Sequence, residues 1–291
     1  MNLSRAKTVL ICTFLALNIF LCYQLWQDQG SGKFEPFGQK EEITKLESAL
    51  LNAGLTLETN LPRGTEHAAY LMVKPWTFSP RELIFCFWEA LEGSRKTAPE
   101  IKHASRSAEK GWEDRAVYFF GRHELIVSRA GPAILNFHFK EEEAKKIYTE
   151  EQARQLVSKI FFLHDFVPDY TTSDEKGKVL YFRQEYEGCP LYAGYISFSL
   201  FERHPSVQFY RLEVVGFAEQ KREVIPSSMA LLRFLERYEG SKNEESIVDF
   251  SLGYYTREYD AQRWEIPPVW RIRLNNGEIY YINAFTGNPE I

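Results

Sequence analysis

The hydrophobic pattern changes character once, near residue 27. From Val9 to Trp26 no side chain is charged, whereas every later apolar run is interrupted by polar positions. A helix over this run would rise about 1.5 Å per residue and span roughly 27 Å, close to the ~30 Å hydrocarbon core of a bilayer. Its backbone polar groups would bond one another, as lipid requires. Arg5 and Lys7 precede the run, and Tyr23 and Trp26 close it. Basic flanks stay in the cytoplasm and aromatic rings favour the interface. The pattern therefore predicts a cytoplasmic N-terminus over 1–8, a transmembrane helix over 9–26, and the remainder outside a cell membrane crossed once. A cleaved signal peptide fits less well, because Tyr23-Gln24-Leu25-Trp26 offers no small-x-small site. Ile19-Phe20-Leu21 is too bulky for lipoprotein processing at Cys22.

Residues 27–40, with Gly30, Gly32, Pro36 and Gly38, read as a linker. A helix is predicted over 41–53, with Ile43, Leu46, Leu50 and Leu51 on one face and Gly54 at its end. Strands follow at 55–61 and 68–74. Ser79-Pro80-Arg81-Glu82 opens a second helix, and Leu83, Ile84, Phe87, Trp88 and Leu91 form its apolar face. Residues 92–112 read as a loop, then strands at 116–120, 124–128 and 133–139. The charged stretch 140–146 reads as a linker or a solvated helix start. Thr149-Glu150-Glu151-Gln152 is a capping box, followed by Ala153, Leu156, Val157, Ile160, Phe161 and His164 at helical spacing. Strands are predicted at 179–187, 194–201 and 208–217, a helix from Ser227 or Ser228, and strands at 246–258, 269–274 and 278–283. Asn275-Asn276-Gly277 is a hairpin signal between the last two. The order of helix then strands occurs twice. It implies an α+β fold of two similar extracytoplasmic domains, 41–140 and 147–291, each an antiparallel sheet with helices on one face.

Charge and chemistry narrow the function. Arg5, Lys7 and Asp28 contribute +1 to the chain's −5, so the rest carries −6. That argues against a nucleic-acid partner, which needs basic patches. Cys86 and Cys189 are the two cysteines outside the predicted anchor; they read as two buried thiols rather than a bridge. Six histidines are scattered, with no HExxH pair. His138 in Asn136-Phe137-His138-Phe139 reads as an outward strand position, and His164 as a residue of a helix face. Glu141-Glu142-Glu143 reads as a solvated linker, and Cys189 lacks a visible base. No nucleophile elbow or phosphate loop occurs. Neither catalysis, a cofactor nor a metal is predicted. The helix itself is then the candidate functional surface. Asn18 is its polar side chain near mid-membrane, and an amide there gains by bonding another helix. Phe14, Asn18 and Leu21 are the candidate partner contacts, and Arg5 and Lys7 set the topology.

The opening Ser4-Arg5-Ala6-Lys7-Thr8, with Asn18 before Ile19-Phe20-Leu21, resembles the YycI (WalI) family. The tail Gly277-Glu278-Ile279-Tyr280-Tyr281-Ile282-Asn283-Ala284-Phe285-Thr286-Gly287 is similar to the end of a PepSY-type module. The resemblance implies two exported α+β domains like those of YycH. It also implies a non-enzymatic regulator that associates with YycH and the sensor histidine kinase WalK (YycG), adjusting WalR-dependent cell-wall homeostasis through transmembrane contacts. Homo-oligomerisation is left open. The alternative is a membrane-tethered PepSY-type module that captures a peptide or inhibits an exported protease.

Overall fold

The structure, a computed structural model, describes residues 13–14, 17–18, 46, 48–62, 67–92, 100–104, 115–128, 132–138, 149–160, 163–174, 177–201, 205–238, 240, 245–257 and 261–290. It divides into two compact units, Met1–Asn52 and Ala53–Ile291. In the first, residues 13–14, 17–18, 46 and 48–52 are helical. Leu46 and Leu50 are buried, but Leu51 is 68% exposed. Of the expected face, Ile43 lies outside the described residues and Leu51 turns away: residues 46 and 50 are one turn apart, and 51 is rotated about 100° from 50.

The second unit carries β1 Leu55–Leu57, β2 His67–Ala68, β3 Leu71–Pro75, α1 Pro80–Glu92, β4 Ile101–Ala104, β5 Arg115–Phe120, β6 His123–Ser128, β7 Ala133–Asn136, α2 Glu150–Lys159, β8 Phe166–Asp174, β9 Gly177–Tyr186 and β10 Cys189–Phe201. It continues with β11 Ser206–Tyr210, β12 Leu212–Phe217, β13 Arg222–Glu223, α3 Ser227–Leu235, β14 Glu245–Tyr254, β15 Trp264–Ile266, β16 Pro268–Leu274 and β17 Ile279–Asn283. Twelve strands form one sheet whose path runs β17-β16-β14-β10-β11-β7-β6-β5-β4. The β8–β9 hairpin joins it on β10, and β1 joins β14 in parallel. The fold is a mixed, sheet-rich α+β arrangement.

The predicted linker at 140–146 lies outside the described residues. On either side of it, β7 and β11 pair antiparallel, with Leu135 opposite Val207. The sheet therefore runs on from residues 115–136 to residues 177–210. The core follows it: Leu83, Ile84 and Phe87 of α1 and Ala153, Leu156 and Val157 of α2 share one cluster with Leu135, Phe198 and Phe209.

Local signals explain several elements. Thr149 Oγ1 accepts the Gln152 N–H at 3.3 Å, and Gln152 Oε1 accepts the Thr149 N–H at 2.9 Å. This is the predicted capping box. The helix stops at Lys159, so His164 lies beyond it and is exposed, not on its apolar face. Gly277 adopts φ +93° in the predicted hairpin, where the Leu274 N–H donates to Glu278 O at 2.9 Å. A left-handed residue there suits glycine. Four strands had no clear signal, among them the two-residue β13. β4 falls inside the expected loop 92–112. β15 is short. β8 is polar and contains Pro168, which the sheet absorbs with a register shift between Pro168 and Thr171.

Candidate functional site

Phe14 and Asn18 are helical and exposed, Phe14 to 65%. Four residues apart, they lie on the same side of a helix. Leu21, Arg5 and Lys7 lie outside the described residues. Among the described residues no helix is long and apolar enough to cross a membrane; the predicted span is described at four positions. Cys86 and Cys189 are half-buried thiols. His123 sits among rings, 5.5 Å from Phe120 and 5.6 Å from Phe137, and its Nδ1 accepts the His138 N–H at 3.1 Å.

The second unit concentrates its polar chemistry at one end of the large sheet. Strand alternation puts Trp270 and Ile272 on one face of β16, and Arg271 and Arg273 on the other. Cross-strand partners extend both sets: Ile282 faces Trp270 and Phe250 faces Ile272, while Tyr281 and Ser251 face Arg271. The apolar face is capped near α3, where Trp270 Nε1 donates to Ile225 O at 2.9 Å. On the opposite face the Arg271 side chain is 4% exposed. Its Nη2 donates to Asp169 Oδ1 at 2.8 Å, its Nη1 to Asp169 Oδ2 at 2.5 Å, and its Nε to Asp249 Oδ2 at 3.0 Å. Arg183 Nη1 also donates to Asp169 Oδ1, at 3.1 Å.

This contact requires curvature. Asp169 lies on β8, and the hydrogen-bonded path to β16 runs through β9, β10 and β14. Four inter-strand steps would separate β8 and β16 by about 19 Å in a flat sheet. An Asp–Arg pair cannot bridge that, so the hairpin curls back over the face. Aromatic rings fill the enclosed space. The Arg271 guanidinium lies 4.1 Å from the Tyr192 ring centre, Arg273 lies 5.0 Å from Tyr170, and Tyr170 stacks on Tyr181 at 4.4 Å. Burial would lower the Arg271 pKa, but Asp169, Tyr192 and Asp249 outweigh it and hold the guanidinium charged. Burial pushes the Tyr170, Tyr192 and Tyr281 hydroxyls up, against the opposing pull of Arg271. An upward shift moves a tyrosine's pKa further above physiological pH, the wrong direction for a general base there. Asp169, Asp249 and the Arg271 guanidinium are bonded to one another and act as a clasp, while Arg183 Nε and Arg273 Nε are buried without a hydrogen-bond partner among the described residues.

Beside the clasp, β17 ends the sheet, and its outer side forms the wall of a groove of about 460 Å³. Tyr280, Tyr281 and Ile282 line it with Arg233, Phe234, Arg237 and Tyr238 from the region of α3, and with Tyr255, Arg257 and Glu290. The tail motif builds one end of it. Asn283 Oδ1 accepts the N–H groups of Phe285 and Thr286 at 2.9 and 3.0 Å, turning the chain back on itself. Asn283 Nδ2 donates to Glu290 Oε1 at 2.6 Å, and the Glu290 N–H donates to Tyr281 O at 2.9 Å. The Tyr-x-Asn-Ala-x-Thr-Gly tail is therefore a structural turn that folds Pro289 and Glu290 against the last strand. Tyr281 stacks on Tyr255 at 3.7 Å and 9°. Tyr280 packs on Phe234 at 4.9 Å and donates to Glu278 at 2.8 Å. Burial, then this carboxylate, pushes the Tyr280 pKa up to about 12.

Sequence reasoning did not single out the clasp or the groove. Arg271 was visible only as the polar member of an alternating strand. Arg233-Phe234 and Arg237-Tyr238 repeat a basic–aromatic pair one helical turn apart, which is the signal that could have marked the groove.

The sequence matches the family model described as "YycI protein" over residues 113–285, more than half of the chain. No curated protein matches it. Among the solved structures that match, two are 12% identical to this chain. An uncharacterized protein from Eubacterium rectale ATCC 33656 aligns over 81% of this chain and 88% of its own, with a TM-score of 0.49. The C-terminal domain of YpeB from Bacillus megaterium aligns over 75% of this chain and 97% of its own, with a TM-score of 0.35.

Proposed function

We propose that this chain, which belongs to the YycI family, is a non-catalytic regulator of the sensor histidine kinase WalK (YycG), acting with YycH through its N-terminal helix. Membership of that family ties the chain to regulation of the WalK/YycG system. The observation that carries the reading is the family match over residues 113–285. The charge-free run Val9 to Trp26 supports an uncleaved single-pass anchor, with Arg5 and Lys7 holding the N-terminus inside. Residues 27–291 then lie outside the membrane.

The mechanism is a population shift. Helix contacts that favour one kinase state over another move that equilibrium only by their difference in free energy. Coupling of about 1–3 kcal/mol gives a 5–150-fold change. Phe14 and Asn18 supply a ring and an amide on the same side of the helix, and Leu21, three residues further along the sequence, is the third candidate contact. Co-purification of the full-length chain with the kinase and with YycH tests the proposal. Wild type is expected to retain both, and Asn18→Leu to retain the kinase more weakly. Failure of the wild-type chain to retain the kinase refutes it.

A further inference from the structure

The groove along β17 stands apart from the rest of this chain in charge. The chain carries a net −5, yet among the described residues the groove wall holds three arginines and one acid, Glu290. That acid is already bonded by Asn283 Nδ2. Arg233 is held at the rim by Glu236, whose two carboxylate oxygens lie 3.1 and 3.0 Å from its Nη1. Arg237 and Arg257 are exposed, and neither guanidinium has an acid or ring partner among the described residues. Two exposed guanidinium groups from separate segments, neither paired with an acid among the described residues, thus line one concave surface. Aromatic rings flank it on the two faces of β17: Tyr255 stacked on Tyr281 on one, and Phe234 against Tyr280 and Tyr238 at 4.9 and 5.2 Å on the other.

Each half of this arrangement restricts the ligand. Charge selects an anion. Arginine forks bind phosphate through paired N–H···O bonds, and the non-bridging oxygens of one phosphate group each accept more than one donor, so two guanidinium groups can share it. Stacked rings add a flat apolar surface that suits the carbon skeleton joining the charged groups. A volume of about 460 Å³ lies in the range of small-molecule sites.

We infer that this groove is a binding site for a phosphate ester on a polyol or sugar skeleton, gripped by Arg237 and Arg257 and seated on Tyr255 and Tyr281. The inference concerns a ligand site on the sheet and does not depend on the kinase. A direct binding assay therefore fails or succeeds independently of the proposed regulation.

The same phosphodiester chemistry occurs on a soluble polymer and on an anionic lipid headgroup, so the test uses both. Purified full-length chain is titrated with soluble poly(glycerol phosphate), and separately mixed with vesicles of phosphatidylglycerol or of phosphatidylcholine. Expected are saturable binding of the polymer that weakens as salt rises, and at least tenfold weaker binding by Arg237→Ala/Arg257→Ala. Arg81→Ala, an exposed arginine on α1, is expected to bind like wild type. Binding only to phosphatidylglycerol vesicles, lost in the same double variant, supports the site and names the lipid as its source. No binding of either, or binding that the double variant retains in full, overturns the inference. Unfolding midpoints confirm that the compared variants are folded.

Discussion

Replacing Asp169 by alanine removes the anion at the centre of the clasp. Its side chain is 7% exposed and that of Arg271 is 4% exposed. The change strips Arg271 of two of its three charge-assisted bonds and leaves Nε on Asp249 alone. Arg183 loses one bond but keeps Glu185 at 2.9 Å, and at 24% exposure water can replace part of the loss. The cost is therefore dominated by a buried, half-paired guanidinium, which is worth about 3–5 kcal/mol. For a unit of this size about 2–4 °C of Tm accompanies each kcal/mol, so a fall of roughly 6–20 °C is expected. The second arm is Asp169→Leu/Arg271→Met, which removes both charges together. Buried pairs replaced by apolar groups are often close to neutral, so the double variant should lose less than half of what Asp169→Ala loses. Urea unfolding of the full chain, followed by tryptophan fluorescence, measures both, since Trp270 adjoins Arg271. A loss below about 1 kcal/mol for Asp169→Ala, or a double variant as damaged as the sum of the singles, would refute the clasp as an energetic unit.

Gly253→Ala should destabilise by about 1–3 kcal/mol, because an added Cβ would sit 2.7 Å from Pro190 O and 2.4 Å from the Tyr192 ring. Equilibrium unfolding checks it, and a neutral result would mean the β10–β14 contact is looser than described. Gln184→Leu should cost about 1–3 kcal/mol, since the buried amide bonds both the N–H and the C=O of Leu212, at 3.2 and 2.8 Å. Thr149→Ala removes the capping box of α2 and should cost about 1 kcal/mol, again by unfolding. The raised tyrosine pKa values fix a sign for alkaline pH. Tyr280 is neutral in the folded state up to about 12, against 10 when unfolded, so its contribution is complete below pH 10 and is lost as pH rises from 10 through 12. Stability should fall over that window, and Tyr280→Phe should flatten part of the fall; an unchanged profile contradicts the assignment.

What was legible in the sequence divides along physical lines. Periodicity and capping located most strands and the starts of α1 and α2, because these signals are local. The Asn-Asn-Gly hairpin needed only Gly277. Partnership between strands was not legible. Nothing in Ala133–Asn136 specifies that it pairs with Ser206–Tyr210, and this pairing carries the sheet across the expected domain division. The clasp was hidden for the same reason: Asp169 and Arg271 lie 102 residues apart and meet only because the β8–β9 hairpin curls. β8 itself was obscured by Pro168 and by its two aspartates, residue types depleted in strands. The tail motif was recognised as a family-like sequence, but its role as an Asn283-centred turn emerged only from its hydrogen bonds. The resemblance was strongest in the first residues, whereas the family match covers residues 113–285. The two observations are therefore independent parts of the same chain.

The central claim, that the N-terminal segment carries the association with the kinase, is tested most directly by transplanting it. Met1–Asp28 is fused to an unrelated exported domain, and the fusion is assayed for retention of WalK beside the full-length chain and its Asn18→Leu form. The account predicts that the fusion retains the kinase and that Asn18→Leu weakens retention in both backgrounds. A fusion that fails to retain the kinase while the full-length chain succeeds would contradict it and move the determinant to residues 29–291.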